Sequence, residues 1–199
     1  MTKGNWWRVL FYAGMLGVPR AAAAQPIIIL PDHPTISAAV GVSSNGDDGS
    51  GHSSTDVSGA YELPIAQPYR LRFAAGRVAW PFDKTSGTRP PRFDDTVSLA
   101  RATVTLMKVV MPPLVGSPTT AYIGIGMGFY RYGFEQKDLY PVVRSGLHVL
   151  GGFEYRLPAN RVVLGWEAQL HAVKGPMVQP IPATTVLVLQ GSFGVKYRF

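Results

Sequence analysis

At 199 residues and a net charge of +7, the chain has the size of one domain with a substantial core. Charged residues make up only 16% while Gly and Pro number 22 and 17, a composition that argues against a helical bundle. Cysteine is absent, which excludes a disulfide framework and a thiolate metal site.

Residues 1–24 read as a removable export signal. Lys3 and Arg8 supply a positive start, "VLFYAGMLGV" an apolar core, and "AAAAQ" the small residues for a cut after Ala24 that leaves Gln25 first. The apolar core is far shorter than the roughly 20 residues a helix needs to cross a bilayer. Its loss removes Lys3, Arg8 and Arg20 and no acid, so the positive charge left is too mild to imply a nucleic acid partner. The expected folded domain is residues 25–199.

No later segment holds 18 uninterrupted apolar residues. Period-two alternation, the mark of strands whose successive side chains point oppositely, recurs instead. In chain order the first segment is "TISAAVGV", with Ile36, Ala38, Val40 and Val42 on one face, and the second is "VSGAYEL". "YRLRFAAGRVAW" follows, with Tyr69, Leu71 and Phe73 against Arg70 and Arg72; its parity slips at Arg77, and a bulge near Gly76 is the expected repair. "SLARATVTLMK" sets Ala100, Ala102, Val104 and Leu106 against Arg101, Thr103 and Thr105. "AYIGIGMGFYRY" sets Ile123, Ile125, Met127 and Phe129 against Tyr122, three glycines and Tyr130. "SGLHVLGGFEYRL" opposes Leu147, Val149, Phe153 and Tyr155 to His148, Glu154 and Arg156. "RVVLGWEAQLHAV" opposes Val162, Leu164, Trp166 and Leu170 to Glu167, Gln169 and His171. The last segment places Leu187, Leu189, Phe193, Val195, Tyr197 and Phe199 opposite Gln190, Ser192, Gly194, Lys196 and Arg198.

Mostly short, Pro-rich connections ("PIAQP", "MPPLVGSPTT", "PAN") alternate with longer, mostly polar ones ("NGDDGSGHSSTD", "PFDKTSGTRPPRFDD", "GFEQKDLYPVVR", "KGPMVQPIPAT"). Short turns at one end and long loops at the other are the asymmetry of an outer-membrane barrel, and an even strand count places both termini at the short-turn, periplasmic end. On the apolar face, Tyr61, Tyr69, Phe153, Tyr155, Tyr197 and Phe199 fall toward the short turns, as an interfacial aromatic girdle does. That face therefore points to lipid. A soluble lipocalin-like barrel with an apolar interior is the competing reading of the same alternation.

The chain closes on "GSFGVKYRF", in which Ser192, Gly194, Tyr197 and Phe199 match the polar-x-Gly-x-x-aromatic-x-aromatic signal of bacterial outer-membrane barrels. With the export signal, eight alternating strands and loop asymmetry, the sequence resembles the small eight-stranded outer-membrane families, such as the opacity-type barrels and the transmembrane domain of outer membrane protein A. That resemblance implies an all-β, eight-stranded antiparallel up-and-down transmembrane barrel with short periplasmic turns and longer extracellular loops. It also implies a bacterial outer-membrane location, a monomer, and two partners: outer-membrane lipid and the assembly machinery that reads the terminal strand.

An eight-stranded barrel is just wide enough for side chains to fill it. Inward parity gathers Glu62, Glu154 and Glu167 with Arg70, Arg72, Arg101, Arg156 and Lys196, and each acid is expected within hydrogen-bond reach of one of these bases, with Lys196 close to Glu167. The implied role is structural or surface recognition through the long loops; a narrow channel for ions or small solutes is the alternative. The chemistry-bearing motifs are weaker. The glycines of "GIGMG" lie within a strand rather than at a strand-to-helix turn, so they are read as room for bulky neighbours and not as a nucleotide loop. "NGDDGSGH" lacks the spacing of a calcium loop. His148 and His171 share the lumen with Glu154 and Glu167. The resemblance would also admit a lipid-modifying enzyme, but the deacylases among such barrels carry a His-x-Ser element facing lipid, whereas Leu150 stands where that Ser would be and His148 faces inward. No catalytic residue, cofactor or metal is assigned.

Overall fold

The computed structural model describes residues 33–45, 53–80, 97–111, 118–134, 141–158, 161–174 and 185–199. The expected export segment, residues 1–24, lies outside them, as does most of the acidic stretch "NGDDGSGH". Eight strands run in chain order: β1 (Thr35–Asn45), β2 (Ser53–Ala66), β3 (Tyr69–Trp80), β4 (Val97–Met111), β5 (Thr119–Phe134), β6 (Val142–Arg156), β7 (Val162–Lys174) and β8 (Thr185–Arg198). Each pairs antiparallel with its chain neighbours, and β1 pairs with β8 from Thr35↔Arg198 to Asn45↔Val188, closing the barrel.

Alternation fixes which side chains meet in the lumen. Because the side-chain period is two, one register error would turn every charge of a strand outward, so the pairing is strongly specified. In β5, Gly124, Gly126 and Gly128 face inward, and the space they leave is used. A Cβ on Gly126 would stand 2.5 Å from His148 Cε1 and 2.8 Å from its Nε2. On β6, a Cβ on Gly152 would stand 2.6 Å from the Tyr122 hydroxyl. His148 and Tyr122 thus fit the narrow lumen beside wall positions that carry no side chain.

The expected bulge near Gly76 is absent. Ser58↔Gly76 and Gly76↔Arg101 are regular pairs, and Arg77 keeps its parity and projects from the outer face. No backbone repair is needed, because Arg77 lies close to the end of β3, where a long cationic side chain can reach past an apolar band. The register shift instead falls between Pro64 and Ala66. Pro64 has no N–H to give to the ladder, so an irregularity is accommodated beside it. A second shift lies between Val109 and Met111 in β4. Both sit at the end where residues 67–68, 112–118 and 157–161 connect the strands.

Burial runs opposite to that of a soluble protein. Met127 is 65% exposed and Phe129 67%, whereas Asp56 is 0% exposed and Glu62 1%. This removes the lipocalin-like reading: the interior is the polar side. An exterior of Val, Leu, Ile, Phe and Trp on every strand is stable only against hydrocarbon. The barrel is of the membrane-spanning kind, with the short connections at the end that is periplasmic in outer-membrane barrels.

Candidate functional site

The lumen is the candidate site, and its two halves differ. At the short-turn end, β2 contributes Glu62, β3 Arg70 and Arg72, β6 Glu154, β7 Glu167 and β8 Lys196. The Lys196 ammonium donates to Glu62 Oε1 at 2.5 Å and to Glu154 Oε1 at 2.7 Å. Arg70 donates to Glu154 Oε2 at 3.1 Å and lies 3.7 Å from Glu62 Oε2. Arg72 donates to Glu167 Oε2, and its Nε lies 4.0 Å from Glu62 Oε1. The Tyr122 hydroxyl donates to Glu167 at 2.9 Å and the Gln169 amide at 2.5 Å. Lys196 also stands 5.0 Å from the centroid of the Tyr122 ring, within cation–π range.

These bonds tie opposite walls of the barrel together. Arg70 to Glu154 joins β3 to β6, Arg72 to Glu167 joins β3 to β7, and Lys196 joins β8 to both β2 and β6. Each carboxylate is compensated, as burial at this depth requires, since an unpaired ion in a confined interior costs several kcal/mol.

The long-loop half is built differently. Arg101 of β4 meets Asp56 of β2 through two parallel bonds, Nη2 to Oδ1 at 2.8 Å and Nη1 to Oδ2, the fork geometry that suits guanidinium to carboxylate. Gln190 donates to Asp56 Oδ1 at 3.0 Å and Ser43 to Oδ2 at 3.2 Å. Beside this pair, His148 Nε2 lies 2.7 Å from Thr105 Oγ1, and His171 Nδ1 lies 2.8 Å from the Tyr130 hydroxyl. Val78, Leu99, Tyr130, Tyr132, Val173 and Val188 pack into one apolar cluster there.

Of the residues expected in one charge network, the structure brings Glu62, Arg70, Arg72, Glu154, Glu167 and Lys196 together. Lys196 takes Glu62 and Glu154, and no bond joins it to Glu167. Arg101 stands apart, because it enters β4 from the long-loop end and meets an acid there. Arg156 has inward parity but is half-buried on the last residue of β6, and no ion pair to it is found among the described residues. Asp56 is the residue that sequence reading missed. Its signal was present: positions 56, 58, 60 and 62 share one parity, but the Ser- and Thr-rich run before Val57 reads as loop. Among the described residues neither histidine has a hydrogen bond to a glutamate; Thr105, Tyr130 and Gln190 are their hydrogen-bond partners. Of the terminal motif, Ser192 and Gly194 face the lumen while Tyr197 and Phe199 face out, their rings edge-on at 5.7 Å.

By sequence, no family model and no curated protein matches the chain. By structure, it is similar to Neisserial surface protein A (TM-score 0.64, 15% identity, covering 83% of this chain and 97% of that one). It is also similar to Ail, the attachment invasion locus protein of Yersinia pestis (TM-score 0.54, 14% identity, 84% and 99% covered). OprG, an outer membrane protein from Pseudomonas aeruginosa, aligns with TM-score 0.54 and 15% identity, over 84% and 96% of the two chains. The fold is that of the small eight-stranded outer-membrane β-barrels.

Proposed function

We infer that this chain resides in the bacterial outer membrane as a non-conducting barrel, a rigid support that displays its long loops for surface recognition. One observation carries the reading: salt bridges span the short-turn half of the lumen from wall to wall, and an apolar cluster occupies the other half. Rigid scaffolds commonly place their binding residues on the loops they hold, and here residues 46–52, 81–96, 135–141 and 175–184 leave the same end. The export segment at 1–24 and the aromatic terminal motif belong to the same reading, as the route to the membrane and the mark for assembly.

Planar-bilayer recording tests it. The purified chain is expected to insert without steady conductance. Resolved openings whose size changes on Lys196→Gln would support the channel instead. Fractionation with outer membranes and a mature start near Gln25 are the matching outcomes for location; recovery as a soluble protein with Met1 retained would overturn it.

A further inference from the structure

The outer face carries a charge pattern that the lumen does not explain. All four acids among the described residues, Asp56, Glu62, Glu154 and Glu167, are buried inside. The charged strand residues that point outward are Arg77, Lys108, Arg131 and Lys174, every one a base. Two of them share a row. Arg77 of β3 and Arg131 of β5 are both register partners of Ala100 on β4, one from each side. With strands about 4.8 Å apart, their Cα atoms stand about 10 Å from each other. The residue between them is a single methyl group, so two long side chains can converge over it.

Their height on the wall is equally specific. Arg77 precedes the last residue of β3, Trp80, by three positions, and Arg131 precedes the last residue of β5, Phe134, by the same interval. Toward the short-turn end the outer face carries Ala75 and then Phe73 on β3, and Phe129 and then Met127 on β5, all exposed. The pair thus lies near the long-loop edge of the outer apolar band, in one row with the exposed Val57 and Val143. Neither side chain has a hydrogen bond or ion pair to another described residue.

We propose that Arg77 and Arg131 form a two-pronged clamp for one phosphate group on the headgroup of an outer-leaflet lipid. Guanidinium forks match phosphate oxygens bidentately, and a phosphate held over Ala100 leaves its acyl chains lying along Phe129, Met127 and Phe73. A free phosphate would make no use of that wall, which selects the lipid as the source. The clamp rests on the membrane reading above and adds a ligand site to it.

The test titrates the folded full-length chain, in zwitterionic detergent micelles, against a fluorescent phosphatidic acid and a matched phosphatidylcholine. The anisotropy of each probe is followed. Wild type is expected to prefer phosphatidic acid, with about fivefold contributed by each arginine. Arg77→Gln and Arg131→Gln should each lose that factor, and the double variant should bind both probes alike. Lys108→Gln, an outward cation at the other end, should leave the preference unchanged. Excess inorganic phosphate should not displace the lipid. No preference in wild type, a preference that survives the double variant, an equal loss with Lys108→Gln, or displacement by inorganic phosphate would each overturn the clamp. A chain that folds only in detergent-free water would overturn the membrane reading as well, whereas one that enters micelles without preference overturns the clamp alone.

Discussion

The two halves of the lumen hold buried charge in different ways. At the short-turn end, Glu62 has three cations within 4.0 Å (Lys196, Arg70 and Arg72), and Glu154 has two. At the long-loop end, Asp56 and Arg101 have only each other as ionic partners among the described residues, next to an apolar cluster. The difference teaches that redundancy governs what a single loss costs. In a shared network a cation that loses one acid still has another; in an isolated pair it is left alone in a medium that cannot solvate it.

The largest effect is therefore expected in the isolated pair. Asp56→Ala leaves the Arg101 guanidinium buried without a carboxylate and should destabilise the barrel by about 3–5 kcal/mol, measured by urea unfolding in micelles. Adding Arg101→Met should recover most of that loss, because the stranded charge is then gone. A small cost for Asp56→Ala alone would mean that water reaches Arg101, and the long-loop half would not be sealed.

Glu154→Gln probes the network in the same way. Lys196 keeps Glu62 at 2.5 Å and Arg70 keeps it at 3.7 Å, so no cation is stranded. The expected cost is about 1.5–3 kcal/mol, the range for a hydrogen bond to a charged group. A loss as large as that of Asp56→Ala would erase the distinction between the halves.

Much of this was legible in the sequence, for a physical reason. A strand has only two faces, so each alternating residue repeats the same binary statement, and eight segments of that kind define both the barrel and its polar interior. Which inward charges meet is a different matter. Arg70 and Glu154 are 84 positions apart and touch because the barrel closes, a geometry that no local pattern carries. Asp56 was lost at a strand start, where Ser, Thr and Asp suit a turn as well as a polar lumen. Arg77 looked like a parity error because the expected exterior was uniformly apolar, whereas an outward cation is tolerated near the edge of the band.

Two buried tyrosines, one in each half, give the finest discrimination. Tyr122 donates to the Glu167 carboxylate at 2.9 Å, while the Tyr130 hydroxyl pairs with the His171 ring nitrogen at 2.8 Å. The bonds are matched in length and burial and differ in the partner, a carboxylate in one half and an imidazole in the other. Hydrogen bonds to charged groups contribute about 1.5–3 kcal/mol and neutral ones about 0.5–1.5. Tyr122→Phe is therefore expected to cost roughly twice as much as Tyr130→Phe in urea unfolding. Each substitution deletes one oxygen and keeps the ring, so packing against Met107 and Leu150 on one side and Val78 and Leu99 on the other is retained. Equal costs would show that the Glu167 carboxylate is already satisfied by Arg72 and Gln169, and would extend the redundancy of the short-turn half from its ion pairs to its neutral donors.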